Sequence, residues 1–261
     1  REYAFSYVVS LHHFAGGRYR AHQTDLATAY LGIGNPVLSA RGPDGTTFGE
    51  KIAARSARSA TAGLVSLSAL PETETEIREL AKVFPNSRAK VLLGPDATEA
   101  KFRGQLLSEY GVIHFATHGL ISEELPGLTE PALVLTPSTE RSTADDGLLT
   151  ASKVSQLPLR ARLIVLSACN TANFSVATFG NEFQGLSTAF LMAGAPSMML
   201  TLWPVDSTAS EVIVRQAVSD AAASGSTVAK ALSNSLFKLA EETANPAYYH
   251  PRFWAPFVIF G

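Results

Sequence analysis

The chain has very little cysteine and no excess of charge of either sign. A single cysteine occurs in 261 residues, which excludes a disulfide framework and a cysteine-rich zinc site and favours a reducing compartment such as the cytoplasm. Lysine and arginine total 21 against 23 aspartate and glutamate residues, a formal net charge of −2. This charge gives no strong field to attract nucleic acid or an anionic membrane surface. We therefore expect neither nucleic acid nor a membrane as a partner.

Long hydrophobic runs and nucleotide-binding motifs are also missing. The most apolar stretch, residues 189–205, is interrupted by one glycine and two prolines, which suits a helix, a turn and a buried strand rather than a membrane-spanning helix. Neither G-x-x-x-x-G-K-[ST] nor G-x-S-x-G occurs. Residues 32–37 begin like a dinucleotide-binding turn, but Val37 replaces the third glycine. We therefore expect no cofactor.

The chain is rich enough in apolar residues to bury a sizeable core. Hydrophobic residues make up 46% and charged residues 17% of the sequence, and no repeat with a period of about 20 to 50 residues is present. The first residue is Arg1, and no signal-peptide pattern follows it. We expect residues 1–261 to form one domain, the C-terminal part of a longer protein.

Short apolar runs separated by amphipathic segments predict an α/β fold, a mostly parallel sheet with helices on both faces. Strands are predicted at 3–9, 30–33, 91–93, 112–116, 163–166, 198–202 and 257–260. Helices are predicted at residues 76–84 and 183–192, and two more within residues 208–242. A further helix is predicted to begin at a capping signal at residues 96–99 and to continue through residue 107.

A histidine and the only cysteine follow two of the predicted strands. The strand at 112–116 runs into His118, and the strand at 163–166 runs into Cys169. Reactive groups gather at the carboxyl ends of strands in open α/β sheets. The ends of the two strands lie roughly 5 Å apart if the strands are neighbours, and roughly 10 Å apart if one strand lies between them. The sequence therefore predicts a Cys/His dyad.

The chemistry of such a dyad assigns a role to each residue. Cys169 would attack a carbonyl carbon as a thiolate, and His118 would act as the base and then as the acid that protonates the departing amine. The main-chain N–H groups of Gly119 and Cys169 would stabilise the oxyanion. The alternatives are that Cys169 is a small core hydrophobe and His118 a hydrogen-bonded structural residue.

His114 and His118 also form an H-x-x-x-H pair, which on a helix would indicate two metal ligands. On a strand the two residues lie about 13 Å apart, too far for one ion. We therefore expect no metal here, and we expect His114 to be a buried, hydrogen-bonded core residue.

Motifs along most of the chain resemble those of CHAT domains, bacterial relatives of caspases and separases that are commonly attached to tetratricopeptide repeats. The resemblance lies in the segments His114-Phe115-Ala116-Thr117-His118-Gly119, Gly147-Leu148-Leu149-Thr150, Val165-Leu166-Ser167-Ala168-Cys169-Asn170-Thr171, Gly185-Leu186, Phe190–Ala195, Leu202-Trp203-Pro204-Val205-Asp206 and Phe253–Phe257.

The resemblance implies a caspase-like sheet and places the dyad on His118 and Cys169. A histidine about 50 residues before the cysteine is also the caspase spacing. By the same resemblance, Trp203 to Asp206 would line the pocket for the residue before the cut. There Asp206, with Glu182 as a second candidate, would pair with a substrate arginine or lysine. The alternatives are a core position for Trp203 and a helix cap for Asp206.

These observations favour a cysteine endopeptidase of the cytoplasm that cleaves a protein substrate. An attached sensor domain or a partner protein would regulate it. The competing hypothesis is a catalytically silent domain that keeps the fold and binds a protein partner through the same cleft.

Overall fold

Nine strands occur in the part of the chain that the structure describes. The structure is a computed structural model and describes residues 4–7, 25–38, 67, 69–122, 128–137, 146–167, 176–203, 205–242 and 245–261. The strands are β1 (Tyr30–Pro36), β2 (Ala89–Gly94), β3 (Val112–Ala116), β4 (Gly119–Leu120), β5 (Ala132–Val134), β6 (Leu148–Thr150), β7 (Leu163–Leu166), β8 (Met198–Thr201) and β9 (Phe257–Phe260).

Six of these strands form the main sheet, in the order β2-β1-β3-β7-β8-β9. Neighbouring strands run parallel, except that β9 is antiparallel to β8. The other three form a small antiparallel sheet in the order β4-β5-β6. The predicted mostly parallel sheet is therefore confirmed.

Helices cover both faces of the main sheet, as predicted. They are α1 (Glu72–Ala81), α2 (Glu99–Arg103), α3 (Ala151–Ser155), α4 (Val176–Ala193), α5 (Ser207–Ser224) and α6 (Val228–Glu242). One core cluster joins the sheet to α2, α3 and α4 through Phe102, Val154 and Phe190. The other joins the opposite face to α1, α5 and α6 through Leu80, Ile213 and Leu232. None of the described helices combines the length and the apolar character that a membrane crossing needs.

The glycines of β1 let α1 pack directly against the sheet. A Cβ atom on Gly32 would lie 2.6 Å from Ile77 Cγ2 and 2.6 Å from the Tyr30 hydroxyl oxygen, and one on Gly34 would lie 3.0 Å from Ile77 Cγ1. The Gly-x-Gly pattern therefore serves a close helix–strand contact here, since a side chain at Gly32 would overlap the helix.

Several predicted boundaries differ from the structure. The helix predicted through residue 107 ends at Arg103, and a separate 3-10 turn follows at Leu107–Glu109. Of the strand predicted at 3–9, residues 4–7 are described, and Tyr7 forms an isolated parallel bridge with Phe260. The small sheet and α3 were not predicted, because strands of two or three residues and a helix of five residues are too short to show a periodic pattern.

Candidate active site

His118 lies where the chain passes from the main sheet into the small sheet. The Thr117 hydroxyl donates to the Val134 carbonyl, and the Val134 N–H donates to the His118 carbonyl at 2.9 Å. The His118 residue is 1% exposed. Two consecutive contacts to β5 thus fix the backbone of the histidine just beyond the end of β3.

The strand that leads to Cys169 lies beside β3. Strands β3 and β7 are hydrogen-bonded neighbours from Val112↔Leu163 to Phe115↔Leu166. The pairing continues one residue further, since the Ser167 N–H donates to the Phe115 carbonyl at 2.9 Å. Adjacent parallel strands lie about 4.8 Å apart, so the chain leaves β7 next to the segment that carries His118. Cys169 itself lies outside the described residues.

The Gly119 N–H is directed away from β5. Hydrogen-bonded and non-hydrogen-bonded pairs alternate along an antiparallel ladder. Val134 donates to the carbonyl of His118, the residue opposite it, so the next pair, Gly119↔Leu133, exchanges no hydrogen bonds. The N–H of Gly119 therefore points to the outer edge of β4, where the described part of the chain has no neighbouring strand.

Trp203 and Asp206 follow the carboxyl end of β8. Trp203 is 38% exposed, and its indole N–H donates to the Arg252 carbonyl at 3.3 Å, so it is not a core aromatic residue. Asp206 is exposed and caps α5, because its Oδ1 accepts from the Ala209 N–H at 3.0 Å. The Tyr248 hydroxyl donates to the same oxygen at 3.5 Å. The predicted helix cap is thus present, and the side chain of Glu182 lies outside the described residues.

A buried polar group that the sequence analysis did not identify lies under the end of β7. His114 is fully buried, as predicted, and its Nε2 lies 2.9 Å from the Ser167 hydroxyl oxygen. The Ser167 hydroxyl donates to Glu76 Oε1 at 2.5 Å, and that oxygen lies 3.3 Å from His114 Nε2. The Tyr30 hydroxyl oxygen lies 3.1 Å from His114 Nδ1. The Ser210 hydroxyl donates to Glu76 Oε1 at 3.5 Å.

The electrostatics of this group follow from its burial. Glu76 is 5% exposed, and Tyr30 is fully buried. Burial raises the pKa of the Tyr30 hydroxyl well above its ordinary value, and the nearby Glu76 carboxylate raises it further. Tyr30 therefore acts as a hydrogen-bonding phenol rather than a phenolate.

The described residues hold no cluster of three His, Cys, Asp or Glu side chains placed to bind a metal ion. Both ring nitrogens of His114 already face hydroxyl oxygens, those of Tyr30 and Ser167.

The fold is that of caspase-like peptidases. A budding-yeast separase in complex with securin (Saccharomyces cerevisiae) matches 99% of this chain and 14% of that chain, with a TM-score of 0.50 and 12% identity. The complex of the Porphyromonas gingivalis RgpB pro- and mature domains matches 94% of this chain and 51% of that chain, with a TM-score of 0.50 and 10% identity. At these identities the likeness concerns the fold alone.

The chain belongs to the CHAT domain family, whose profile matches residues 1–261. It is similar to tetratricopeptide repeat protein 28 of Mus musculus, 30% identical over 204 residues, or 65% of this chain. The Homo sapiens protein of the same name is 30% identical over 226 residues, or 74% of this chain. In both cases the match spans 8% of the length of the relative.

Proposed function

We propose that this chain is a cysteine endopeptidase with Cys169 as nucleophile and His118 as general base and acid. The observation that carries the proposal is the adjacency of β3 and β7, because His118 follows the first strand and Cys169 follows the second. Membership of the CHAT family and the caspase-like fold support a peptidase-like framework.

In the proposed reaction, His118 takes the thiol proton as the sulfur of Cys169 bonds to the substrate carbonyl carbon. The tetrahedral intermediate collapses, the C–N bond breaks, and His118 returns the proton to the departing amine. His118 then takes a proton from a water molecule as the water oxygen bonds to the thioester carbonyl carbon. The C–S bond breaks, the acid product leaves, and His118 returns the proton to the sulfur of Cys169.

The oxyanion of each tetrahedral intermediate would be stabilised by the main-chain N–H groups of Gly119 and Cys169. The register of β4 supports the first of these donors, because it leaves the Gly119 N–H outside the ladder with β5. A glycine at this position also allows a substrate backbone to approach closely.

We assign the substrate-binding wall to Trp203 and Asp206, with Glu182 as a second acidic candidate. Partial exposure of Trp203 at the carboxyl end of β8 supports a contact with substrate. Asp206 uses Oδ1 for the helix cap, and its second oxygen would pair with an arginine or lysine before the cut.

We further propose that another part of a longer protein, or a protein partner, regulates the site. The relatives are tetratricopeptide repeat proteins of which this chain spans a small part. The competing function is a silent CHAT domain that binds a protein partner. The burial of His118 favours this alternative, because an imidazole that is 1% exposed must be uncovered before it can reach a substrate.

A peptidyl electrophile that reacts with thiols tests the proposal, because the chain has one cysteine and labelling reports on that residue alone. We expect fast labelling of the wild type, at least about tenfold slower labelling of His118→Ala, and none of Cys169→Ala. Thermal unfolding checks that each variant is folded. Equal, slow labelling of the wild type and His118→Ala would favour the silent domain.

A further inference from the structure

Three side chains from separate elements meet at the carboxyl end of β7. They are Glu76 of α1, His114 of β3 and Ser167, the residue that follows β7. We propose that Glu76 and His114 are positioning residues that hold Ser167, and through it the strand end that leads to Cys169. This inference rests on the proposed function, since it concerns the geometry of the same nucleophile.

The hydrogen bonds run in one direction through the group. With Glu76 as a carboxylate, the Ser167 hydroxyl donates to its Oε1 at 2.5 Å. When the ring proton of His114 is assigned to Nε2, the Ser167 oxygen accepts from Nε2–H at 2.9 Å, and Nδ1 accepts from the Tyr30 hydroxyl at 3.1 Å. The Tyr30 hydroxyl also lies 3.4 Å from the Ile77 carbonyl oxygen, to which it can donate. This assignment is consistent with the contacts of Ser167 and Glu76. The Ser167 hydroxyl is thus fixed both as a donor and as an acceptor.

The hydrogen bonds that hold Ser167 matter for the proposed reaction because of where Ser167 lies in the chain. Its backbone N–H is bound to the Phe115 carbonyl of β3, and its side chain is bound to α1 and β3. Cys169 lies two residues further along the chain. An error of about 1 Å in the position of a reacting group can lower a rate by about a hundredfold, so anchoring at residue 167 would limit the error at residue 169.

Stability alone is a weak reason for this arrangement. A carboxylate that is only 5% exposed carries a large desolvation cost, and apolar replacements of buried charged groups are often neutral or stabilising. A satisfied polar network instead specifies one geometry. A positioning role therefore predicts that losing the Ser167 hydroxyl slows the reaction of the Cys169 thiol by more than its effect on the free energy of unfolding can explain.

Ser167→Ala and Ser210→Ala form a matched pair for the test. Both substitutions remove a hydroxyl that faces the same atom, Glu76 Oε1, but Ser210 belongs to α5 and does not lead into Cys169. The measurement is the rate constant for alkylation of the single cysteine by iodoacetamide from pH 6 to 9, with thermal unfolding recorded for each variant.

We expect the Ser167→Ala rate constant near pH 6.5 to fall about tenfold, and its pH profile to move toward that of a free thiol, with a pKa of about 8.5. Ser210→Ala is expected to stay within about twofold of the wild type. Ser167→Ala should unfold at a lower temperature than Ser210→Ala, because it removes the shorter of the two contacts to Glu76 and a contact to His114, so the rates are compared at a temperature at which both variants are folded. A rate for Ser167→Ala within about twofold of the wild type, or an equal loss in Ser210→Ala, overturns the positioning role.

Glu76→Gln and Glu76→Leu refine the result. Gln keeps an oxygen acceptor for the Ser167 hydroxyl, so it should retain more thiol reactivity than Leu, which keeps none. Equal rates in the two variants would contradict the role assigned to Glu76.

The wild type and His118→Ala separate this inference from the proposed function. Equal alkylation of these two proteins overturns the proposed function and the positioning role together. Fast alkylation of the wild type that is lost in His118→Ala but kept in Ser167→Ala overturns the positioning role alone.

Discussion

The Lys153 ammonium lies 2.8 Å from Oε2 of Glu99, a carboxylate that is 5% exposed. Lys153 also donates to Asp146 at 3.0 Å and to the Leu148 carbonyl at 2.8 Å, so it connects α3 to α2 and to the start of β6. Because this contact joins separate elements of the fold, it should matter more for stability than the ion pairs within one exposed helix.

Replacing Lys153 by methionine should lower the free energy of unfolding by about 1–2 kcal/mol. The substitution removes one of the two cations that pair with the buried Glu99 carboxylate and keeps the other, Arg103, at 2.7 Å. Losing a partner of a buried carboxylate costs more than losing an exposed ion pair. Urea unfolding measures the change. Lys101→Met is the control, because Lys101 and Asp96 are both more than half exposed and should contribute less than about 0.5 kcal/mol.

The stabilisation from Lys153 should depend on pH in one direction. Burial lowers the pKa of the Lys153 ammonium, but hydrogen bonds to Glu99 and Asp146 and their charges outweigh burial and raise it overall. A pKa raised on folding gives stability that is fully present below the unfolded value of about 10.4 and is lost as pH rises through the folded value. The difference in the free energy of unfolding between the wild type and Lys153→Met should therefore be constant from pH 7 to 10 and shrink above pH 10. A difference that grows above pH 10 would contradict this expectation.

Gly32→Ala should be strongly destabilising. The added methyl would lie 2.6 Å from both Ile77 Cγ2 and the Tyr30 hydroxyl oxygen, so α1 or Tyr30 must move, at a cost of about 2 kcal/mol or more. Gly104→Ala is the control, since its nearest contact is 3.3 Å and its φ is −70°. Equilibrium unfolding of both variants tests the expectation, and an equal effect would refute it.

Asp206→Asn separates the helix cap that Asp206 forms from the substrate contact that we propose for it. Asparagine keeps an oxygen for the Ala209 N–H and is as good an N-cap as aspartate, so stability should change little, whereas Asp206→Ala should lose about 1 kcal/mol. If Asp206 selects a basic residue, both variants should cleave after arginine about a hundredfold more slowly and spare neutral residues. If a peptide library shows an apolar or acidic residue before the cut, the proposed substrate contact is contradicted and Asp206 serves only as the helix cap.

Much of the fold could be predicted because several strands of the main sheet are short runs of apolar residues. The predictions at 112–116, 163–166 and 257–260 match β3, β7 and β9 residue for residue. The strand-end reasoning that linked His118 with Cys169 needed the two strands to be neighbours or to have one strand between them, and β3 and β7 are neighbours.

The polar partners of the site could not be found in this way, because they come from distant parts of the chain. Glu76 and Ser167 are separated by 91 positions, and neither belongs to a motif that pairs them. A weaker signal was present: Glu76 stands four residues before the buried Leu80, on the same face of α1. A charged residue on an apolar helix face indicates a buried partner without naming it.

The wide sequence separation within the Glu76, His114 and Ser167 group also bears on the order of folding. His114 and Ser167 are 53 positions apart, and Ser167 and Glu76 are 91 apart, so three segments must dock before their hydrogen bonds can form. These bonds should therefore be absent from the folding transition state. Substitutions there would accelerate unfolding and leave the folding rate nearly unchanged, so the carboxyl end of β7 would acquire its final geometry among the last events of folding.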